Sequence, residues 1–124
     1  TFDPDEPASP DPVNFNRVEL MREIMVRNGD GDKHISITEG GWNDHPRWTK
    51  AVRPAQRAAY TVRAYQKVLA EWPWVDALSI WAFRYPRPAR TYQDNYAFVD
   101  GEFQPKPIYL AVQNYAAGRE EALP

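Results

Sequence analysis

Ile35-Ser36-Ile37-Thr38-Glu39-Gly40-Gly41-Trp42 is the stretch on which the fold turns. Ile35, Ile37 and Thr38 are β-branched and favour an extended strand. The strand runs into a carboxylate, and two glycines and a tryptophan follow at once. One reading is a strand that carries Glu39 at its C-terminal tip with an aromatic beside it. The other is the end of a calcium loop. Residues 28–39 number twelve, with Asn28, Asp30 and Asp32 at positions 1, 3 and 5, Ile35 at 8, Ser36 at 9 and Glu39 at 12 of an EF-hand pattern. Two features count against calcium. Position 6 needs glycine for its sharp turn and holds Lys33, a cation beside the ion's place. The exiting helix should begin near position 10, and Gly40-Gly41-Trp42-Asn43-Asp44-His45-Pro46 does not sustain one. EF-hands also pair, and no second loop follows, so calcium is the lesser alternative.

Working outward, residues 1–14 are acidic and hold four prolines, which predicts an extended loop or tail. Phe15, Val18, Met21, Ile24 and Met25 then recur at helical spacing, predicting a helix over 15–28 with Asn14 as N-cap and Gly29 as its left-handed end. The strand covers 35–39. After a loop, Pro54 opens a helix over 54–72, with Ala55, Ala58, Ala59, Val62, Tyr65, Leu69 and Trp72 as its apolar stripe and Pro73 as its stop. Residues 75–83 are apolar on both faces except for Asp76 and Ser79, the pattern of a strand buried on both sides of a parallel sheet. A long loop over 84–106 contains an expected Asp100-Gly101 turn. Pro107 opens a last helix over 107–117, with Ile108, Val112 and Tyr115 on one face and Gly118 at its end. The order helix, strand, helix, strand, helix implies parallel pairing through crossovers. Two strands do not make a sheet buried on both sides, so the expectation is one piece of a larger α/β structure.

The 124 residues carry a net charge of −2, which offers no basic field to nucleic acid or an anionic membrane. Apolar runs are far shorter than a bilayer span. No leader pattern is visible, although the chain begins at Thr1 rather than Met. There is no cysteine, hence no disulfide and no thiolate chemistry. Five Trp, seven Tyr and 12 Pro suit loops that stack on flat sugar faces, and equally suit an aromatic core.

Three segments together resemble the C-terminal portion of clan A glycoside hydrolases of the family 39 and family 5 kind, which are (β/α)8 TIM barrels. Thr38-Glu39-Gly40-Gly41-Trp42 is similar to the end of the seventh strand. Ser79-Ile80-Trp81-Ala82-Phe83 is similar to the eighth. Residues 98–109, Phe-Val-Asp-Gly-Glu-Phe-Gln-Pro-Lys-Pro-Ile-Tyr, are similar to the closing hairpin and the entry to the last helix. The likeness covers the chain from about Phe15. It implies an incomplete barrel running from helix 6 to helix 8, and a retaining O-glycosyl hydrolase acting on a β-linked oligo- or polysaccharide without metal or cofactor. It further implies Glu39 as nucleophile and Trp81, Trp42 and Tyr85 as sugar contacts. A polysaccharide-degrading parent would be secreted. The clan's acid/base carboxylate follows an Asn at the fourth strand, and no Asn-Glu pair occurs here, so the proton donor is expected upstream.

Each residue has a plainer reading. Glu39 is a solvated loop acid without its flanking motifs. Trp81 serves as core, as sugar platform, or as both, and Trp42 either lines the site or pins the loop. Alternation along the strands places Ile35, Ile37 and Glu39 on one face, and Ala77, Ser79, Trp81 and Phe83 on the face that matches it. His34 reads as structural, and His45 as a loop residue with no second His at ligand spacing. Arg84, Tyr85, Asp94, Asn95 and Tyr96 contact substrate or form a solvated loop. Arg17, Arg22 and Arg27 read as a helix surface. A non-catalytic carbohydrate-binding protein would keep Trp42 and Trp81 but have no use for Glu39.

Overall fold

A computed structural model describes residues 3–85, 87 and 90–119; residues 1 and 2 of the acidic stretch and 86, 88 and 89 of the 84–106 loop lie outside the described residues. Helix α1 spans Arg17–Arg27, strand β1 Ile35–Gly40, helix α2 Pro54–Glu71, strand β2 Val75–Ile80 and helix α3 Pro107–Ala116, with a short 3-10 helix at Tyr92–Tyr96 before α3. The two strands pair in parallel, joined through α2. The architecture is therefore mixed α/β around a two-stranded parallel sheet. Among the described residues no helix is long and apolar enough to cross a membrane.

Local chemistry explains the ends. Gly29, at φ 84°, turns the chain out of α1, because only glycine enters that region without a Cβ clash. Pro54 and Pro107 occupy the first turns of α2 and α3, where no N–H is needed. Gln56 caps α2 by accepting the Arg53 N–H at 3.0 Å. Asn14 does not cap α1; the cap position is Asn16. The Asn14 side chain instead donates to the Pro7 carbonyl at 2.7 Å and accepts the Ser9 N–H at 3.1 Å, folding the proline-rich segment on itself. That segment is not a tail. Asp5 holds Arg63 of α2 through a two-nitrogen fork, its closest contact at 2.6 Å.

The buried face of α2 is rotated from the stripe expected. It consists of Arg57, Ala58, Thr61, Ala64, Lys67 and Val68. Leu69 is 78% exposed. The apolar pattern misleads because two cations and a hydroxyl occupy core positions with partners. The Thr61 hydroxyl donates to the Arg57 carbonyl at 2.8 Å. Lys67 pairs with Glu71 at 2.9 Å and lies over the Trp72 ring. Helix α3 packs on α2, with Tyr115 stacked on Tyr65 at 6.4 Å and Ile108 buried at 2% exposure.

Strand β2 is covered on one face only. Asp76, Ala77 and Ser79 are exposed, while Leu78 and Ile80 are half-buried. Regular pairing ends at Ile80, although the Ala82 and Phe98 N–H groups carry hydrogen bonds on between 82–83 and 96–99. The expected matching of faces is corrected too. Ser36 pairs with Ala77 and Ile37 with Leu78, so Ser36 rather than Ile37 shares the open face. A bulge between Ile37 and Gly40 then resets the alternation. A Cβ on Gly40 would point at Leu78 and Ile80, at 3.4 and 3.6 Å, which puts its neighbour Glu39 on the opposite, open side. The turn near Asp100 also differs. The left-handed residue is Phe103 (φ 62°), and the Asp100 carboxylate accepts the Glu102 and Gln104 N–H groups at 2.8 and 2.9 Å. That carboxylate, rather than Gly101, organises the turn.

Candidate functional site

The turn before β1 is clamped from α1. Arg22 donates to the Lys33 and Gly31 carbonyls at 2.7 and 2.6 Å and lies over the Trp74 ring. His34 Nδ1 meets Asp76 Oδ1 at 2.7 Å, joining the starts of the two strands. With its N-terminal end held, β1 delivers Glu39 to its C-terminal end. There the Trp81 N–H donates to the Gly40 carbonyl at 2.8 Å. Gly41 sits at φ 136°, and a Cβ on it would meet the Trp81 carbonyl oxygen at 3.1 Å and Ile80 Cγ2 at 3.2 Å. Glycine at 41 thus lets the chain after Glu39 lie directly against the chain that carries Trp81.

Glu39 and Trp81 both line an open cleft of about 450 Å³, whose walls also include Trp48, Lys50, Tyr96 and Asn14. Glu39 is exposed, and Trp81 is 46% exposed with its Nε1 donating to the Tyr85 hydroxyl at 2.5 Å. Tyr85 does not border that cleft. It lies on a neighbouring hollow of about 180 Å³ with Asp94 and Lys106, where burial pushes the Lys106 ammonium pKa down. Trp42 is 6% exposed, its ring against Phe15 at 5.5 Å and Tyr60 at 5.8 Å, and it borders the cleft.

The walls are held by a residue that sequence reasoning passed over. The Arg57 side chain is completely buried. Its Nε donates to the Trp42 carbonyl at 2.9 Å, and Nη1 donates to Asp44 at 3.2 Å. The same guanidinium donates to the Ala97 carbonyl at 3.2 Å and to the Tyr96 carbonyl. Asp44 also accepts from Asn95 at 3.0 Å. Asn43, 2% exposed, donates to the Tyr92 carbonyl at 2.7 Å. The loop after β1 is thereby bonded to the segment after β2. Burial pushes the Arg57 pKa down and Asp44 pulls it back. Desolvation likewise raises the Tyr96 phenol, which stays neutral at physiological pH. An arginine inside a helical pattern reads as surface, so nothing in the spacing marked Arg57. Trp48 and Lys50 fall in a loop without periodicity.

The calcium reading loses its geometry. Residues Ile35–Gly40 form a strand, which advances about 3.3 Å per residue and carries Glu39 away from Asp30 and Asp32. Asp30 pairs with Lys33 at 2.7 Å. Among the described residues no cluster of three or more acidic or histidine side chains is placed to hold a metal.

No protein-family model and no curated protein matches the chain. Among solved structures, its fold is similar to part of a family 39 glycoside hydrolase from the gut symbiont Bacteroides cellulosilyticus WH2, with a TM-score of 0.61 and 24% identity over 79% of this chain. The chain spans 20% of that protein's length. At this identity the likeness is one of fold: the mixed α/β arrangement is shared with a segment of a glycoside hydrolase.

Proposed function

We propose that this chain is the C-terminal part of a (β/α)8 barrel, from helix 6 to helix 8, belonging to a retaining glycoside hydrolase that cleaves a β-linked glycan. The observation that carries the reading is the meeting of Glu39, at the C-terminal end of β1, with Trp81, just past the C-terminal end of β2, in one open cleft. Barrel enzymes place their chemistry at that end of their strands. The sheet face bearing Ser36, Thr38, Ala77 and Ser79 is open, as it would be if further strands closed over it.

Retaining hydrolysis needs two carboxyl groups roughly 5 Å apart. Glu39 is the one that attacks the anomeric carbon. The second protonates the leaving oxygen and then activates water, and it belongs to the barrel strands preceding this segment. Trp81 forms the wall of the subsite at the reacting sugar, steadied by its bond to Tyr85, and Trp42 pins the loop beneath. Incubating the complete catalytic chain with a 2-fluoro-glycoside traps the glycosyl-enzyme. Peptide mass mapping is expected to find the label on Glu39, and a label on any other residue overturns the assignment.

A further inference from the structure

We propose that Trp48 is a second stacking platform in the cleft, binding a second sugar residue of a neutral oligosaccharide; the inference rests on the glycosidase reading above and extends it. Two indoles of the cleft, Trp81 exposed and Trp48 half-buried, stand on different supports. Trp81 adjoins Gly40, the residue after Glu39, through its backbone bond, and its ring neighbour is Tyr85 at 6.2 Å. Trp48 belongs to the loop after β1, and its ring neighbours are Tyr92 at 5.0 Å and Tyr96 at 6.3 Å. Both border one cleft, so the cleft offers two aromatic surfaces, one on the segment bonded to Gly40 and one on the loop after β1.

The support of Trp48 is built rather than incidental. Tyr92 and Tyr96 belong to the 3-10 helix, whose carbonyls receive hydrogen bonds from buried Asn43 and Arg57. The Trp48 backbone is held on both sides, donating to the His45 carbonyl at 3.2 Å and accepting the Ala51 N–H at 2.9 Å. The indole itself is only half-buried. A ring fixed in orientation and left partly open suits the C–H face of a pyranose, because little side-chain freedom remains to be lost on binding. Among the described residues the charged groups of the lining are one carboxylate, Glu39, and one ammonium, Lys50, so this part of the cleft carries no net charge and suits a neutral glycan. Its volume of about 450 Å³ also lies within the usual span of ligand clefts.

The test compares Trp48→Ala and Trp48→Phe in the complete catalytic chain on two substrates. One is a neutral oligosaccharide, and the other is a monosaccharide glycosyl fluoride, which needs no second sugar site. Trp48→Ala is expected to lower kcat/KM on the oligosaccharide about tenfold and to leave the fluoride within about twofold, with Trp48→Phe recovering most of the loss. An equal loss on both substrates assigns Trp48 a structural role and overturns the proposal, as does an unchanged oligosaccharide rate. Glu39→Gln separates the two claims. No hydrolysis of either substrate by the unaltered chain defeats the glycosidase reading itself and retained hydrolysis in Glu39→Gln defeats the nucleophile, whereas hydrolysis lost in Glu39→Gln with no substrate dependence at Trp48 defeats only the platform.

Discussion

Gly41 and Arg57 do for the cleft what Glu39 and Trp81 cannot do alone. The first lets two chain segments touch, and the second ties their loops together. A Cβ at 41 meets backbone at 3.1 Å in a conformation foreign to L side chains. Gly41→Ala is therefore expected to destabilise by about 1–3 kcal/mol. Gly40→Ala, whose Cβ would make ordinary contact with Leu78 at 3.4 Å, should cost clearly less, and paired urea melts measure the difference. For Arg57, removal of the cation takes a donor from Asp44 and from three carbonyl groups, leaving Asp44 only Asn95 and the Tyr96 carbonyl only the Ala82 N–H. Arg57→Met is expected to cost about 3–5 kcal/mol, seen as a lowered denaturation midpoint. Neither role is visible in composition. A glycine pair reads as a loop, and an arginine within a helix reads as its wet side.

At the scale of elements, spacing located the strand that presents Glu39 and the helices on either side of it. It placed Ala58 and Trp72 inside, as they are, but missed how far the buried face of α2 is rotated. The apolar stripe passes through Leu69, whereas the packed surface passes through Ala64 and Thr61, both with no exposure. Ala64→Leu should overpack the contact with the rest of the fold and cost about 1–3 kcal/mol. Leu69→Lys should stay within about 0.5 kcal/mol. Thermal unfolding of the two variants checks the order, and equal effects would restore the stripe read from the sequence. Of the stripe expected on α1, Phe15 packs on Trp42 and Trp72, while Met21 and Ile24 are about half exposed, so that end of the face is not covered by the described residues.

For the molecule as a whole, the acidic proline-rich segment is a strap on α2 rather than a tail. The Arg63 guanidinium holds the Asp5 carboxyl below its ordinary pKa of 3.8, against a smaller opposing effect of burial. A carboxyl with a lowered pKa in the folded state adds stability that is fully present above the unfolded value and is lost as pH falls through the folded one. Asp5→Asn should thus cost about 0.5 kcal/mol at neutral pH, small because the pair is half exposed and screened. The deficit should fade below about pH 3.8. Stability curves of the two proteins against pH test this; a constant gap at acid pH would place the strap's hold elsewhere.

What the sequence by itself determined is the succession of elements and the strand-tip place of Glu39. Both rest on local chemistry: β-branched residues, prolines in first turns, and glycine at a helix end. The resemblance to clan A glycoside hydrolases rested on the order of three short segments, and the fold shared with part of a family 39 protein agrees with it at that level. Only the tertiary structure decided which sheet face is open and which residues wall the cleft. Strict alternation put Ile37 on the face of Ser79; the bulge before Gly40 reverses the phase, so Glu39 alone of that set reaches the open side. Trp48 of the loop after β1 and Arg57 of α2 lie far along the chain from Tyr96 of the 3-10 helix and meet it only through packing. No periodicity encodes such a meeting, because their partners are carbonyls and rings supplied by other segments.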